Sequence, residues 1–151
     1  MLMIARDRDY PELLEELRGK KVVIWTCNTC ARLCNGMGGD EAAEKMAASL
    51  RRDGIDVKGV LSTSASCLRG KVRKSEDRSI LDEADILLTM TCYIGSSNAG
   101  AIFKKDTLNP FVTLGPGYVE EDRSLYVYSQ DKAEELSAEA SRRGLKTDPF
   151  V

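Results

Sequence analysis

The chain has 151 residues, of which 42% are hydrophobic and 30% are charged, as in a soluble globular protein with one packed core. Its formal net charge of −2 gives no general attraction to nucleic acid or to an acidic membrane. The chain contains five cysteines and no histidine, which excludes Ser-His-Asp triads, Cys-His nucleophilic pairs and mixed Cys/His zinc sites. An odd number of cysteines in a chain of this length also argues against a disulfide scaffold.

The first residues indicate the cellular compartment. Met1 to Ile4 are followed by charged residues rather than by the long apolar core of a signal peptide. No apolar run is long enough for a membrane span. We therefore expect a cytoplasmic protein whose thiols stay reduced, with neither a membrane nor a nucleic acid as its partner.

The first half of the chain alternates between helix and strand patterns. A helix is predicted over residues 9–19, and the near-continuous apolar run at residues 22–26 predicts a strand buried on both faces. Apolar residues then recur at helical spacing over residues 40–53, and residues 56–61 predict a second strand.

The second half continues this alternation. Its predicted elements are a helix at 76–83, a strand at 85–90, a helix at 95–103, strands at 111–114 and 124–128, and a helix at 132–143. Alternating strands and helices favour βαβ units. We therefore expect one domain over residues 1–151, with a three-layer α/β fold of the Rossmann or flavodoxin kind and a mostly parallel sheet of four to five strands.

All five cysteines follow predicted strands. Cys27, Cys30 and Cys34 come directly after the first strand with the spacing C-x2-C-x3-C, while Cys67 and Cys92 follow the second and third strands. The carboxyl ends of parallel strands meet at one edge of a sheet, so the sulfurs are expected to gather there. Thiolates bind soft metals and clusters, so we predict a four-sulfur centre. Cys34, four residues after Cys30, is expected to share a helix face with it, and Cys67 and Cys92 compete for the fourth place.

A glycine-rich turn follows the three N-terminal cysteines. Gly36, Gly38 and Gly39 allow close backbone approach and could direct N–H groups at sulfide or at an anionic ligand. We therefore include these glycines in the predicted cofactor site. The turn matches neither the dinucleotide fingerprint nor the P-loop, so phosphate binding is a minor alternative.

Three kinds of centre suit these cysteines. The uneven spacing, without a second C-x2-C pair, favours an iron–sulfur cluster, [4Fe–4S] in the first place. A structural zinc ion with four cysteine ligands is the main alternative. The C-x2-C pair after Trp25 also resembles a thioredoxin-like dithiol, although such an enzyme needs only Cys27 and Cys30.

A basic cluster follows Cys67. It consists of Arg69, Lys71, Arg73 and Lys74. We interpret it as a solvated loop, with a docking face for an acidic partner as the alternative.

The cysteine triplet, Gly38-Gly39 and the amphipathic helix after them resemble the MetV-type small subunit of methylenetetrahydrofolate reductase, over residues 20–118. Two later cysteines are similar to further cysteines of that family. They are Cys67 and Cys92, the second of which precedes a predicted helix that begins with small residues. The resemblance implies a metal centre and a larger, flavin-bearing catalytic partner that reduces methylenetetrahydrofolate. Residues 131–151 contain no cysteine, unlike the further cysteine-rich segment expected of that family, so we expect one centre only.

The expected function is accessory rather than catalytic. We expect an iron–sulfur protein that transfers electrons to, or structurally supports, a larger oxidoreductase of one-carbon metabolism. The sequence offers no general base or nucleophile set suited to independent catalysis. Two alternatives remain open, a zinc module that mediates subunit contact and a dithiol oxidoreductase.

Overall fold

The computed structural model describes residues 2–74 and 79–128, and beyond them residues 134, 138–139 and 142–143. The helix predicted at 132–143 lies mostly outside these described residues, as do the first three residues of the helix predicted at 76–83. From its fourth residue onward that second segment forms a 3-10 helix, Ser79–Glu83.

Strands and helical segments alternate along the described chain up to residue 103, as the sequence predicts, and the three strands that follow are consecutive. In chain order the elements are β1 (Leu2–Asp7), α1 (Tyr10–Leu17), β2 (Lys21–Cys27), α2 (Cys30–Leu33), α3 (Asp40–Arg52), β3 (Asp56–Thr63), α4 (Arg69–Arg73), the 3-10 helix, β4 (Ile86–Met90), α5 (Tyr93–Phe103), β5 (Asp106–Leu108), β6 (Phe111–Val119) and β7 (Leu125–Val127). The three strands predicted to precede cysteines all form, at β2, β3 and β4.

Four strands make a parallel sheet in the order β3-β2-β4-β5. Strand β2 lies inside this sheet and pairs in parallel with β3 along Lys21 to Cys27 and with β4 along Val22 to Thr26. Strand β5 pairs in parallel with β4 and was not predicted, because it has only three residues and no apolar pattern. The predicted α/β class is therefore confirmed.

Successive side chains of β2 point into two different hydrophobic clusters. Val22 and Ile24 pack with residues of α1 and α3, whereas Val23 and Trp25 pack with residues of α4, the 3-10 helix and α5. All four side chains are fully buried, and each such burial stabilises the fold by about 1.5–3 kcal/mol. The parallel sheet thus has a hydrophobic cluster on each face. No helix in the described ranges is both long and apolar enough to cross a bilayer.

A second, antiparallel sheet has the order β1-β6-β7. The predicted fourth and fifth strands belong to this sheet, and the stop predicted at residues 115–117 is wrong, because β6 continues to Val119. Gly117 permits this pairing, since a Cβ there would lie 1.9 Å from the carbonyl oxygen of Tyr126 on β7. The expected single sheet of four to five strands is therefore a four-stranded parallel sheet with a small antiparallel sheet beside it.

Candidate metal centre

Four of the five cysteines lie at the carboxyl edge of the parallel sheet. Cys27 is the last residue of β2, and Cys30 begins the short helix α2 three residues later. Cys67 lies in the loop after β3, and Cys92 caps α5 directly after β4. Because β2 lies between β3 and β4 in the sheet, the loops that carry Cys67 and Cys92 flank Cys27.

The thiol pKa values of Cys67 and Cys92 are both raised. Burial raises the pKa of Cys67, and charges on Cys27 and Cys30 raise it further. Burial is also the largest cause of the raised pKa of Cys92, to which the same two cysteines contribute. Cys27 and Cys30 thus contribute to the electrostatic environment of both distant cysteines.

Cys34 lies apart from this group. Its side chain is fully buried, and its sulfur donates a long hydrogen bond of 3.7 Å to the carbonyl oxygen of Ala5 on β1. Helix α2 ends at Leu33, but the backbone N–H of Cys34 still donates to the Cys30 carbonyl at 2.9 Å, the bond expected one helical turn further on. Cys34 therefore follows Cys30 by one turn, as predicted, while its sulfur is directed to Ala5 of the antiparallel sheet.

Ser66 joins three elements around Cys27. Its backbone N–H donates to the Cys27 sulfur across 3.4 Å. Its side-chain oxygen accepts a hydrogen bond from the Trp25 indole at 2.9 Å and donates to the Gly95 carbonyl at 2.9 Å. Ser66 is buried, and every polar group named here has its partner, as a buried network requires. The network fixes the loop after β3 against both β2 and α5.

Asn98 on α5 holds the loop that carries Cys67. Its side-chain amide donates to the carbonyl oxygens of Ser66 and Cys67, each at 3.2 Å. Its carbonyl oxygen accepts a hydrogen bond from the Arg69 guanidinium at 3.2 Å. One side chain therefore orients the backbone on both sides of the Cys67 side chain. Polar groups that orient ligands in this way are part of the design of metal sites.

The beginning of α5 faces the sulfur of Cys92. The backbone N–H groups of Gly95 and Ile94 lower the pKa of Cys92 and oppose the effect of burial, although neither makes a full capping hydrogen bond. Gly95 also lets α5 approach the loop after β3, since a Cβ there would lie 2.8 Å from Cβ of Ser66. Helix α5 thus packs against the loop that carries Cys67, and its first peptide dipoles favour the thiolate of Cys92.

The three glycines of the predicted cofactor site use their N–H groups within the protein. The N–H groups of Gly36, Gly38 and Gly39 donate to the Arg32 carbonyl at 2.9 Å, the Ala31 carbonyl at 2.9 Å and the Thr26 hydroxyl at 2.8 Å, respectively. None of these three donors is left for a sulfide or an anion. Gly38 and Gly39 serve the close packing of the turn that follows α2, and Gly36 adopts a positive φ of 69° there.

The same glycines line a groove of about 810 Å³ on the α3 side of the sheet edge. Arg32 and Arg123 contribute positive charge to its wall, and Asp40 and Glu41 contribute negative charge. The mixed charge gives no preference for an anion. Phosphate binding at this turn stays a minor prediction.

The four thiols are the chemical type of ligand that a sulfur-ligated metal centre needs. Four thiols come from three loops, and one of them already accepts an N–H hydrogen bond. Within the described residues, no three Cys, His, Asp or Glu side chains lie close enough together to hold an ion as they stand. A bound cation favours thiolates over thiols, and its charge acts against the burial and repulsion that raise the pKa values of Cys67 and Cys92. Closing the site therefore requires rearrangement of residues that the parallel sheet already brings to its carboxyl edge.

Comparison with known proteins adds no relative. A search of protein-family models, of curated proteins and of solved structures finds no significant match to this chain. The resemblance to MetV-type subunits stays a prediction from cysteine spacing. The geometry of the cysteine edge is the ground on which a function can be inferred.

Proposed function

We propose that Cys27, Cys30, Cys67 and Cys92 hold one [4Fe–4S] cluster and that the chain is an accessory electron-transfer protein. The observation that carries this proposal is the position of all four cysteines at the carboxyl edge of the parallel sheet, where the loops that carry Cys67 and Cys92 flank Cys27. Cys34, which the spacing alone groups with the ligands, is left out because its buried sulfur bonds to Ala5. Four thiolates are the usual ligand set of such a cluster.

The finer architecture supports this location. We propose that the parallel part of the fold is a three-layer, doubly wound domain of the flavodoxin kind. Counting the parallel strands alone, the order β3-β2-β4-β5 is 2-1-3-4, as in flavodoxin-like sheets. Ligands of such folds bind where the strand order reverses, between β2 and β4. Cys27 and Cys92 flank that crevice.

The chain's own groups suit a negatively charged cluster. When bound, the cluster supplies one-electron transfer. The Ser66 N–H at the Cys27 sulfur, and the Ile94 and Gly95 amides near Cys92, stabilise negative charge on sulfur. Hydrogen bonds of this kind and solvent exposure set the potential of iron–sulfur clusters.

The solvent exposure of the proposed ligands suits electron exchange with another protein. Cys27 is buried and Cys67 is exposed, with Cys30 and Cys92 between these limits. A centre held by these residues lies at the surface rather than in the core. With the resemblance to MetV-type subunits, this favours a role beside a larger, flavin-bearing oxidoreductase of one-carbon metabolism.

Anaerobic purification or reconstitution tests the proposal. We expect a brown protein with broad visible absorption and about four iron and four sulfide per chain. A colourless protein with one zinc per chain would instead support the structural zinc module, since zinc accepts the same four thiolates. Full dithiol-exchange activity that depends only on Cys27 and Cys30 would support the oxidoreductase alternative.

A further inference from the structure

Large apolar side chains are exposed next to the cysteine edge. The exposed fractions are 53% for Leu33, 54% for Leu68 and 46% for Tyr93. Leu68 directly follows Cys67, and Tyr93 directly follows Cys92. Exposed apolar groups that collect in one region mark interaction sites more often than isolated ones do.

The third apolar residue belongs to the same region. Leu33 lies three residues after Cys30 in α2, and residues at this spacing are neighbours on a helix surface. Each of the three exposed side chains therefore belongs to a residue within three positions of one cysteine of the proposed centre. We call Leu33, Leu68 and Tyr93 the apolar collar.

A basic segment borders the apolar collar. It consists of Arg69, Lys71, Arg73 and Lys74, all exposed and all within seven residues of Cys67 in the sequence. Arg69 is oriented by its hydrogen bond to Asn98. Across the part of the chain that the structure describes, none of the four cations forms an ion pair with a carboxylate. Within the described residues, the segment thus offers positive charge without a carboxylate partner at one side of the cysteine edge.

We propose that the apolar collar and the basic segment form the docking site of an acidic electron-carrier protein of the ferredoxin kind. The proposal rests on the electron-transfer function proposed above. An apolar centre with a charged rim is the usual anatomy of a protein interface. Complementary charge raises the association rate and makes binding sensitive to salt, as suits a transient carrier complex. The basic segment selects a partner whose own rim is acidic.

Binding can be measured directly with an acidic [2Fe–2S] ferredoxin as the probe and the anaerobically purified chain. By calorimetry, we expect Kd to rise at least about tenfold between about 20 mM and about 500 mM salt, as the Debye length falls from about 20 Å to about 4 Å. Lys71→Glu/Arg73→Glu should weaken binding at low salt at least about tenfold and remove most of this salt dependence.

A matched control separates local from overall charge. Lys20→Glu/Lys104→Glu changes the net charge by the same amount at the opposite edge of the sheet, since Lys20 precedes β2 and Lys104 follows α5. We expect Kd within about twofold of wild type. Carbodiimide cross-linking to the carboxylates of the probe should join Lys71 and Lys74 but not Lys20 and Lys104.

The apolar collar has its own test. Leu68→Gln should weaken binding several-fold at high salt as well, because truncating an apolar contact is not screened. Leu114→Gln is the control, since Leu114 is 49% exposed but lies on the antiparallel sheet. Equal effects of the two leucine variants, equal effects of the two charge variants, or binding independent of salt would each overturn the docking site.

Metal analysis of the same samples separates this failure from failure of the proposed function. If the chain holds four iron and four sulfide but its affinity for the probe depends neither on salt nor on these substitutions, the docking site alone is overturned. A chain that holds no cluster overturns the proposed function, whatever the binding data show.

Discussion

The backbone N–H of Ser66 donates to the sulfur of Cys27 across 3.4 Å, and this bond ties the loop after β3 to the end of β2. Cys67 is the next residue after Ser66, so the bond also fixes the distance between two cysteines that are 40 positions apart in the sequence. The convergence of distant thiols at the sheet edge therefore depends in part on the backbone of Ser66, a residue outside the proposed ligand set.

Removing the Ser66 hydroxyl should destabilise the fold measurably. In Ser66→Ala the buried indole N–H of Trp25 and the carbonyl of Gly95 both lose a partner. An unsatisfied buried polar group costs about 1–3 kcal/mol, so we expect a loss of about that size in the free energy of unfolding by urea. Ser64→Ala, in the same loop but exposed, should change it by less than about 0.5 kcal/mol. Equal stability of the two variants would contradict the role of Ser66.

Truncating Asn98 should loosen the Cys67 loop without removing a ligand. Asn98→Ala loses both hydrogen bonds to the backbone at Ser66 and Cys67. Losing an outer partner of this kind costs roughly 10–100-fold in metal affinity, and we expect such a loss in chelator competition. Ser97→Ala, at the exposed neighbouring position of α5, should retain wild-type affinity. Affinity unchanged in Asn98→Ala would show that the loop needs no such support.

The turn after α2 should accept no side chain at Gly38. A Cβ there would lie 2.5 Å from Cβ of Ala31 and 3.0 Å from the Met90 carbonyl oxygen. Overpacking of this kind costs about 1–3 kcal/mol, so Gly38→Ala should lower the denaturation midpoint. Gly70→Ala is the control, because a Cβ at that helical position meets nothing within 4 Å and alanine favours a helix. We expect Gly70→Ala to be neutral or stabilising, and a Gly38→Ala protein as stable as wild type would rule out the close packing.

A hydrogen bond between α1 and the end of α3 predicts a pH dependence of stability. The Tyr10 hydroxyl donates to the Asp53 carboxylate at 2.7 Å. Burial and this bond raise the pKa of Tyr10 from 10.0 to about 12, while hydrogen bonds from Arg52 and Tyr10 lower the pKa of Asp53 below 3.8. The raised pKa contributes stability that is complete below pH 10 and is lost as the pH approaches 12. The lowered pKa contributes stability that is present above pH 3.8 and is lost as the pH falls below that value.

Urea denaturation of Tyr10→Phe checks both signs. At pH 7 the urea midpoint of Tyr10→Phe should lie below that of wild type. The difference between the two midpoints should narrow toward pH 12, where Tyr10 of the wild type loses its proton, and below pH 3.8, where Asp53 gains one. Tyr126→Phe, on the exposed edge strand, is the control, and its difference in urea midpoint from wild type should not narrow at these two pH extremes. A constant gap for Tyr10→Phe across the whole range would contradict the assigned bond.

The sequence predicts the central part of the fold well. The apolar run of β2 and the helical spacing of α3 are strong local patterns, and both elements form within two residues of their predicted bounds. Strand β1 carries no comparable signal, because its pairing with β6 is set by residues more than a hundred positions away. Glycine and proline at residues 115–117 indicate a stop in isolation, yet here they allow the close approach of β7.

The cysteine site is predictable in outline but not in detail. The rule that parallel strands present their carboxyl ends at one edge brings Cys67 and Cys92 toward Cys27 without coordinates. Spacing could not show that the sulfur of Cys34 bonds to Ala5 on β1, because that contact arises only in the folded chain. Ser66 and Asn98 carry no sequence signal, because their roles arise only when distant loops meet.

The metal content of single cysteine variants tests the central claim most directly. After anaerobic reconstitution, Cys67→Ala and Cys92→Ala should lose most of the iron and sulfide that the wild-type chain binds, because each removes one of four ligands. Cys34→Ala should retain both, because its sulfur bonds to Ala5 and lies outside the proposed set. Loss of the centre in Cys34→Ala, together with its retention in Cys67→Ala and Cys92→Ala, would contradict the claim.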